Sequence, residues 1–123
     1  MRKVILISTD ETVVNLLNSN AGVLEIEPEV TMPSGDLLSE IKEKKPDLLI
    51  IDFILNDDNG GGLCHQVKSD SQLHGLPIIL LSEYPSLERI ATKFGCSTMI
   101  TKPLNLYKLT EGLQNLGLTQ SGQ

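Results

Sequence analysis

The sequence predicts an α/β domain in which a doubly wound parallel sheet of five strands carries helices on both faces. Short, continuous apolar runs bounded by polar residues or proline are typical of strands that are buried on both faces. Amphipathic stretches with helical spacing follow these runs, and five such strand–helix pairs fill the 123 residues. A regular alternation of strands and helices favours a parallel sheet covered by its own crossover helices.

The strands are predicted from the apolar runs. The clearest candidates lie at residues 4–7, 48–51 and 78–81, and weaker ones lie at residues 24–30 and 98–101. The segment at residues 24–30 contains Pro28, which cannot donate a hydrogen bond to a sheet ladder. We therefore expect this segment to be an edge strand.

The helices are predicted from apolar residues at i, i+3 and i+4. Asp10 or Thr12 is the candidate N-cap of the first helix and Ser34 precedes the second, while Gly95 follows the fourth in the position of a C-terminal cap. The five apolar faces are Val13, Leu16 and Leu17; Leu37, Leu38 and Ile41; Leu63, Cys64 and Val67; Leu87, Ile90, Ala91 and Phe94; and Leu106, Leu109, Leu113 and Leu116.

Length and composition limit the function classes. The chain suffices for one domain, which we place at residues 1–118, with residues 119–123 as a disordered tail. A net charge of -6 argues against a nucleic-acid partner, because phosphate backbones are bound by clustered Lys and Arg. The apolar runs are too short for a membrane span or a signal peptide. Cys64 and Cys96 lack metal-ligand spacing, so we expect buried free thiols in a cytoplasmic protein.

The predicted fold indicates where to look for a functional site. In doubly wound sheets, ligands bind at the carboxyl ends of the strands, beside the point where the strand order reverses. The residues that follow the predicted strands are 8–11, 52–62, 82–84 and 101–103. We expect functional side chains among them.

Three stretches resemble those of a known family. They are PDLLIIDFILNDDNGGGLCHQVK at residues 46–68, LPIILLS at residues 76–82 and MITKPLN at residues 99–105. In this order and spacing they resemble the third, fourth and fifth strands, with their following loops, of the receiver domains of two-component response regulators. The resemblance covers essentially the whole chain. It implies a flavodoxin-like receiver fold with the strand order 2-1-3-4-5.

The resemblance also implies roles for individual residues. Asp52 would accept a phosphoryl group from a histidine kinase, a phosphotransfer protein or a small phosphodonor. Lys102 would contact a phosphoryl oxygen, and Ser82 would hydrogen-bond the phosphoryl group and couple it to an output surface. Pro103 is expected to follow a cis peptide bond, and Gly60 to occupy a position compatible with positive φ. Taken singly, each has a simpler explanation, since Asp and Ser at strand ends often form turns or cap helices.

The first strand departs from the family pattern. In receiver domains it ends in two adjacent acids, which bind a divalent cation together with the acceptor aspartate. Here those positions hold Ser8 and Thr9, and Asp10 lies one residue too late. The resemblance then implies metal ligands from Asp52, the backbone carbonyl of Ile54 and, weakly, Asp10. Because neutral hydroxyls supply no charge, we expect Mg²⁺ binding to be possible but weakened.

Three further departures concern the loops and the switch. Glu83 stands where the family favours Ala or Gly, and it could obstruct the site or bring a third carboxylate to the metal. The resemblance implies a switch at Ser82 and Met99, where Met99 replaces the usual Tyr or Phe of the fifth strand and its flexible side chain can fill the same pocket. Asn56 replaces the usual Pro of the acceptor loop.

These observations leave three hypotheses. The chain is a receiver phosphorylated on Asp52, a pseudo-receiver that binds partners without phosphorylation, or a flavodoxin-like cofactor protein. The last rests on the hydroxyls of Ser8, Thr9 and Thr12, in a loop without the glycine that close approach to phosphate requires. For either kind of receiver we expect no enzyme activity beyond assisting its own phosphorylation and dephosphorylation. Its downstream protein would bind the face formed by the fourth helix, the fifth strand and the last helix.

Overall fold

A computed structural model of the chain describes residues 1–55 and 59–118. Five parallel strands form one sheet in the order β2-β1-β3-β4-β5, which confirms the predicted topology. The strands are β1 (Arg2–Ile7), β2 (Ile26–Thr31), β3 (Leu48–Asp52), β4 (Ile78–Ser82) and β5 (Thr98–Thr101). The predicted tail and Asn56 lie outside the described residues.

Six α-helices connect and follow the strands in the described part of the chain. They are α1 (Glu11–Ser19), α2 (Ala21–Leu24), α3 (Leu37–Lys44), α4 (Gly60–Ser69), α5 (Glu88–Ala91) and α6 (Leu106–Asn115). Short 3₁₀ turns, Pro85–Leu87 and Thr92–Phe94, flank α5 on either side.

The structure corrects several predicted elements. The four-residue helix α2 was not expected, and the fourth predicted helix is divided into α5 and its two 3₁₀ turns. Of the apolar face predicted for that helix only Ala91 is fully buried, so packing contributes little to holding one regular helix there. The second strand starts at Ile26, two residues later than predicted. Helix α3 begins after Asp36, and Ser34 instead accepts a hydrogen bond from the Asp36 backbone amide in the preceding turn.

The predicted edge strand and helix ends are otherwise confirmed. Strand β2 pairs only with β1, and its Pro28 lies beside Val4 at the edge of the sheet. Asp10 is the N-cap of α1, where its carboxylate accepts a hydrogen bond from the Thr12 amide. Gly95 has a φ of 93° and ends the segment before β5 in the left-handed conformation.

The core lies in two layers, one on each face of the sheet. Alternate residues of β1 and β3 point to opposite faces, so Ile5 and Ile51 pack with α3 and α4 while Leu6 and Ile50 pack with α1 and α6. All of these strand residues are at most 1% exposed. Because both faces are covered, the strands read as continuous apolar runs rather than as alternating ones.

The two cysteines are free and buried, as predicted. They meet between α4 and the start of β5, where the Cys96 thiol donates a hydrogen bond to Sγ of Cys64 at 3.1 Å. The neighbouring thiol and burial raise the pKa of Cys64 well above its ordinary value. Both thiols are therefore core side chains, and the raised pKa keeps Cys64 in its less reactive thiol form. None of the helices in the described ranges is long and apolar enough to cross a bilayer.

Candidate functional site

Sheet register brings the ends of four strands together. Ile7 lies beside Ile51 in the parallel pair of β1 and β3, so the residues that follow them, Ser8 and Asp52, are neighbours. Asp52 is paired with Leu81 in the next ladder. Ser82 is paired with Thr101 in the last ladder, which places Lys102 at the same edge. A cleft of about 270 Å³ opens at this edge, lined by Thr9, Asp10, Asp52, Ile54, Ser82, Glu83, Tyr84 and Lys102.

Asp52 lies at the floor of this cleft. The residue is 4% exposed, and its Oδ2 accepts hydrogen bonds from Ser8 Oγ at 2.7 Å and Lys102 Nζ at 2.8 Å. Both bonds end on the same oxygen, and Oδ1 has no hydrogen-bond partner among the described residues. Asp52 is thus a buried carboxylate that is held on one oxygen and lines the cleft.

Ser8 is a buried hydroxyl whose hydrogen bond to Asp52 was not predicted from the sequence. It is 2% exposed, and while it donates to Asp52 its Oγ also accepts the Asp10 backbone amide at 3.0 Å. Ser8 thus links the Asp52 carboxylate to the turn that starts α1. This contact could have been predicted from the position of Ser8 in the sequence. A serine that follows one parallel strand lies within hydrogen-bond reach of an aspartate at the end of the neighbouring strand.

Lys102 bridges two carboxylates. Its Nζ lies 2.8 Å from Asp52 Oδ2 and 2.8 Å from Asp10 Oδ2. Burial lowers the pKa of Lys102, but the hydrogen bonds and charges of Asp10 and Asp52 outweigh burial and raise this pKa above its ordinary value. The ammonium form is therefore stabilised. The peptide bond between Lys102 and Pro103 is cis, as the resemblance implied.

Asp10 combines a structural and an electrostatic contact. Its Oδ1 caps α1 through the Thr12 amide at 3.0 Å, and its Oδ2 pairs with Lys102. The hydrogen bond from Lys102 holds the pKa of Asp10 below its ordinary value. Asp10 therefore reaches the site through a direct contact with the lysine, and not only as a distant acid.

The remaining predicted residues occupy the wall and rim of the cleft. Ser82 is buried at the end of β4, where its Oγ accepts the Tyr84 amide at 2.9 Å. Thr9 and Glu83 are exposed on the rim, and Ile54 is exposed beside Asp52. Met99 lies in β5 outside the cleft and packs, partly buried, against the core layer of α3 and α4.

Gly60 serves a different purpose from the one predicted. It is the first residue of α4, and the glycines with positive φ in the described ranges are Gly95 and Gly117. A Cβ added at Gly60 would lie 2.2 Å from the backbone oxygen of Asp52. Glycine is required here because α4 starts in contact with the backbone at the end of β3. Asn59 caps the helix, because its Oδ1 accepts hydrogen bonds from the Gly61 and Gly62 amides.

The donor set does not fit a divalent-cation centre. Mg²⁺ prefers six oxygen ligands in octahedral geometry, usually with one or two carboxylates. The carboxylates of Asp10 and Asp52 face each other across the Lys102 ammonium, and Ser8 has committed its proton to Asp52. Within residues 1–55 and 59–118 there is no group of three acidic, His or Cys side chains that could hold a metal. The third carboxylate considered for Glu83 is thus not brought to such a group.

Comparisons with known proteins agree with the geometry. The family model described as response regulator receiver domain matches residues 4–114. The chain is 30% identical over 108 residues to the uncharacterized transcriptional regulatory protein YvcP of Bacillus subtilis (strain 168), covering 86% of this chain and 44% of the relative. It spans less than half the length of the curated relatives that it matches.

Solved structures show the same fold. A putative response regulator from Chloroflexus aurantiacus J-10-fl superposes with a TM-score of 0.84 at 23% identity, covering 94% of this chain and 96% of that one. The Mn(2+)-bound form of the response regulator Rcp1 superposes with a TM-score of 0.71 at 16% identity, covering 100% and 98%. With the family match over almost the whole chain and the convergence of Asp52 and Lys102 at one edge of the sheet, this chain belongs to the receiver-domain family of two-component response regulators.

Proposed function

We propose that this receiver domain accepts a phosphoryl group on Asp52, from a histidine kinase, a phosphotransfer protein or a small phosphodonor. One observation supports this most directly: the Lys102 ammonium lies 2.8 Å from the Asp52 carboxylate at the floor of an open cleft. Phosphoryl transfer between two anionic groups depends on positioning and on positive charge at the transferred group. Lys102 supplies that charge, and the cleft supplies the space.

The proposed reaction uses few groups. Oδ1 of Asp52 attacks phosphorus, the bond between phosphorus and the donor's leaving atom breaks, and the donor leaves with its electron pair. The product is an acyl phosphate on Asp52, whose new charge faces Lys102 and the hydroxyl of Ser82 in the cleft wall. The chain itself is not an enzyme for an external substrate in this proposal, since it assists only its own modification.

A second candidate is a pseudo-receiver that binds its partner unmodified. The observation in its favour is the hydrogen-bond network around Asp52, in which Ser8 and Lys102 already satisfy Oδ2 without a phosphoryl group. The hydroxyls at the end of β1 remove the acidic pair that receiver domains generally use for Mg²⁺. Both candidates send the signal through protein contact.

The partner surface that we propose is the face of α5, β5 and α6. Apolar side chains are exposed along it at Ile90, Leu106 and Tyr107, the last of which is 73% exposed. Response regulators interact with histidine kinases or phosphotransfer proteins. Because the matched regions cover only 44% and 48% of two of these curated relatives, activities of a whole regulator are part of this proposal rather than properties of the domain.

Intact-mass measurement tests the proposal. The protein is incubated with acetyl phosphate and, separately, with phosphoramidate, each with and without Mg²⁺, beside an Asp52→Asn control. We expect one phosphoryl adduct on the wild type and none on the control. No adduct from either donor under any condition would contradict phosphorylation of Asp52 by small phosphodonors and would favour the pseudo-receiver.

A further inference from the structure

We infer that the acceptor site of this chain works without a divalent cation, because the Lys102 ammonium and the Ser8 hydroxyl occupy the positions that a bound cation and its first-strand ligand would need. This deepens the proposed function and rests on it where phosphorylation is concerned. Its metal-binding part stands on geometry alone.

Lys102 occupies the place that a cation between the two carboxylates would take. A cation held by both carboxylates would have to lie between Asp10 Oδ2 and Asp52 Oδ2. Nζ of Lys102 already lies there, 2.8 Å from each oxygen. Bound Mg²⁺ needs its ligand oxygens at about 2.0–2.1 Å, so it could bind both of these oxygens only by displacing the ammonium. The raised pKa of Lys102 is consistent with an ammonium that stays protonated between the two acids.

The Ser8 hydroxyl is not directed toward a cation. A metal ligand must offer a lone pair, preferably a charged one, toward the cation. The Ser8 hydroxyl donates a hydrogen bond to Asp52 Oδ2 and accepts one from the Asp10 amide. Both hydrogen bonds are made to other groups of the protein and not toward a cation. Its burial at 2% leaves little room for rotation toward a cation. The residue that follows, Thr9, is a second neutral hydroxyl and lies exposed on the rim.

The net charge of the site also differs from that of a site with two further acids. Asp10 and Asp52 are the two carboxylates in contact with Lys102, so one ammonium offsets one of their two negative charges. With acids at positions 8 and 9 the same cluster would hold four carboxylates against one ammonium, and a divalent cation would be needed to return its net charge to that of the present cluster. Here Ser8 instead holds Oδ2 of Asp52 in place, which makes it a positioning residue for attack by Oδ1.

Two measurements separate this inference from the proposed function. The first is Mn²⁺-induced broadening of backbone amide NMR signals at the ends of β1, β3 and β5, for the wild type and for a Ser8→Asp/Thr9→Asp variant. We expect no selective broadening in the wild type at millimolar Mn²⁺, and strong broadening of these signals in the variant. Selective broadening in the wild type would overturn the inference, whether or not the protein is phosphorylated.

The second measurement is the rate of phosphorylation by phosphoramidate, followed by intact mass in excess EDTA and in Mg²⁺. We expect the two wild-type rates to agree within about twofold, and the rate of the Ser8→Asp/Thr9→Asp variant to fall at least tenfold in EDTA. A wild-type rate that requires Mg²⁺ would overturn the inference. An absence of adduct in both buffers would overturn the proposed function, while the NMR measurement would still decide whether the site holds a cation. A variant that loses its dispersed NMR spectrum is replaced by Ser8→Asp alone.

Discussion

The carboxyl ends of β1 and β3 lie side by side but are built in different ways. The end of β3 keeps an acid, Asp52, and is fixed by backbone packing against the first residue of α4. The end of β1 carries the hydroxyl of Ser8 and is fixed by hydrogen bonds to Asp52 and to the Asp10 amide. The difference shows that a buried carboxylate at a strand end can be held by a neighbouring hydroxyl and one lysine, without an acid at the end of the adjacent strand.

The end of β5 connects the two. Lys102 contacts Asp52, which comes from β3, and Asp10, which follows β1. The two strand ends are therefore held by one shared cation, although they differ in how their backbones are supported. Four substitutions separate the contributions of backbone packing, the lysine and the hydrogen bonds, and their expected effects on stability decrease from Gly60 through Lys102 and Ser8 to Asp10.

Replacing Gly60 with alanine should have the largest effect. The new Cβ would lie 2.2 Å from the backbone oxygen of Asp52, so either α4 or the end of β3 must move. We expect a loss of roughly 3 kcal/mol in the free energy of unfolding, at the upper end of overpacking effects. Urea unfolding measures this. Gly62→Ala is the matched control, because its Cβ meets nothing within 4 Å, and a comparable loss there would contradict the steric explanation.

Removing the shared cation should have the next largest effect. Lys102→Met leaves the carboxylates of Asp10 and Asp52 facing each other, one of them buried, without a counter-charge. We expect a loss of about 2–3 kcal/mol, somewhat less than for a fully buried pair. The control is Lys42→Met, which removes an ion pair at the protein surface with Asp70. Equal losses of unfolding free energy in the two variants would show that burial of the Lys102 cluster does not matter.

Removing the Ser8 hydroxyl should have a smaller effect. Ser8→Ala takes away the donor to Asp52 Oδ2 and the acceptor of the Asp10 amide, but it leaves Lys102 in place. Hydrogen bonds to charged groups contribute about 1.5–3 kcal/mol, and with the lysine bond retained we expect about 1–2 kcal/mol. A double-mutant cycle with Lys102→Met should show that the two losses are not additive. Simple additivity would mean that the two groups do not share Asp52.

The smallest effect is the pH dependence contributed by Asp10. Its pKa is lowered in the folded protein, so Asp10 stabilises the fold at pH values above its ordinary pKa of 3.8 and loses this contribution as the pH falls through the lower folded value. We expect Asp10→Asn to unfold with a weaker pH dependence than the wild type below about pH 4. Denaturant midpoints at several pH values test this. Parallel curves for the two proteins in this range would contradict it.

Much of the architecture could be predicted from the sequence. Continuous apolar runs identified all five strands, and the sheet order that the resemblance to receiver domains implied is the one observed. The edge position of β2 followed from Pro28, because proline lacks the amide that a central strand needs. The prediction of one regular fourth helix was wrong, because this segment forms α5 and two 3₁₀ turns. The spacing of apolar residues does not reveal how few of them are buried.

The sequence by itself determined which residues meet at the edge of the sheet. In a parallel sheet the carboxyl ends of neighbouring strands share one edge, so Asp52, Ser82 and Lys102 had to lie near one another once their strands were recognised. The resemblance to receiver domains likewise placed Ser8 and Thr9, rather than Asp10, directly after the first strand.

Only the tertiary structure decided how those residues are connected. The contact between Lys102 and Asp10 joins residues 92 positions apart, and the bond between Ser8 and Asp52 joins residues 44 apart. Both depend on strand register and on side-chain direction. The same holds for Gly60, whose need for a missing Cβ comes from the approach of α4 to β3 and not from its own backbone angles. Local sequence sets propensities, and packing across the sheet sets distances.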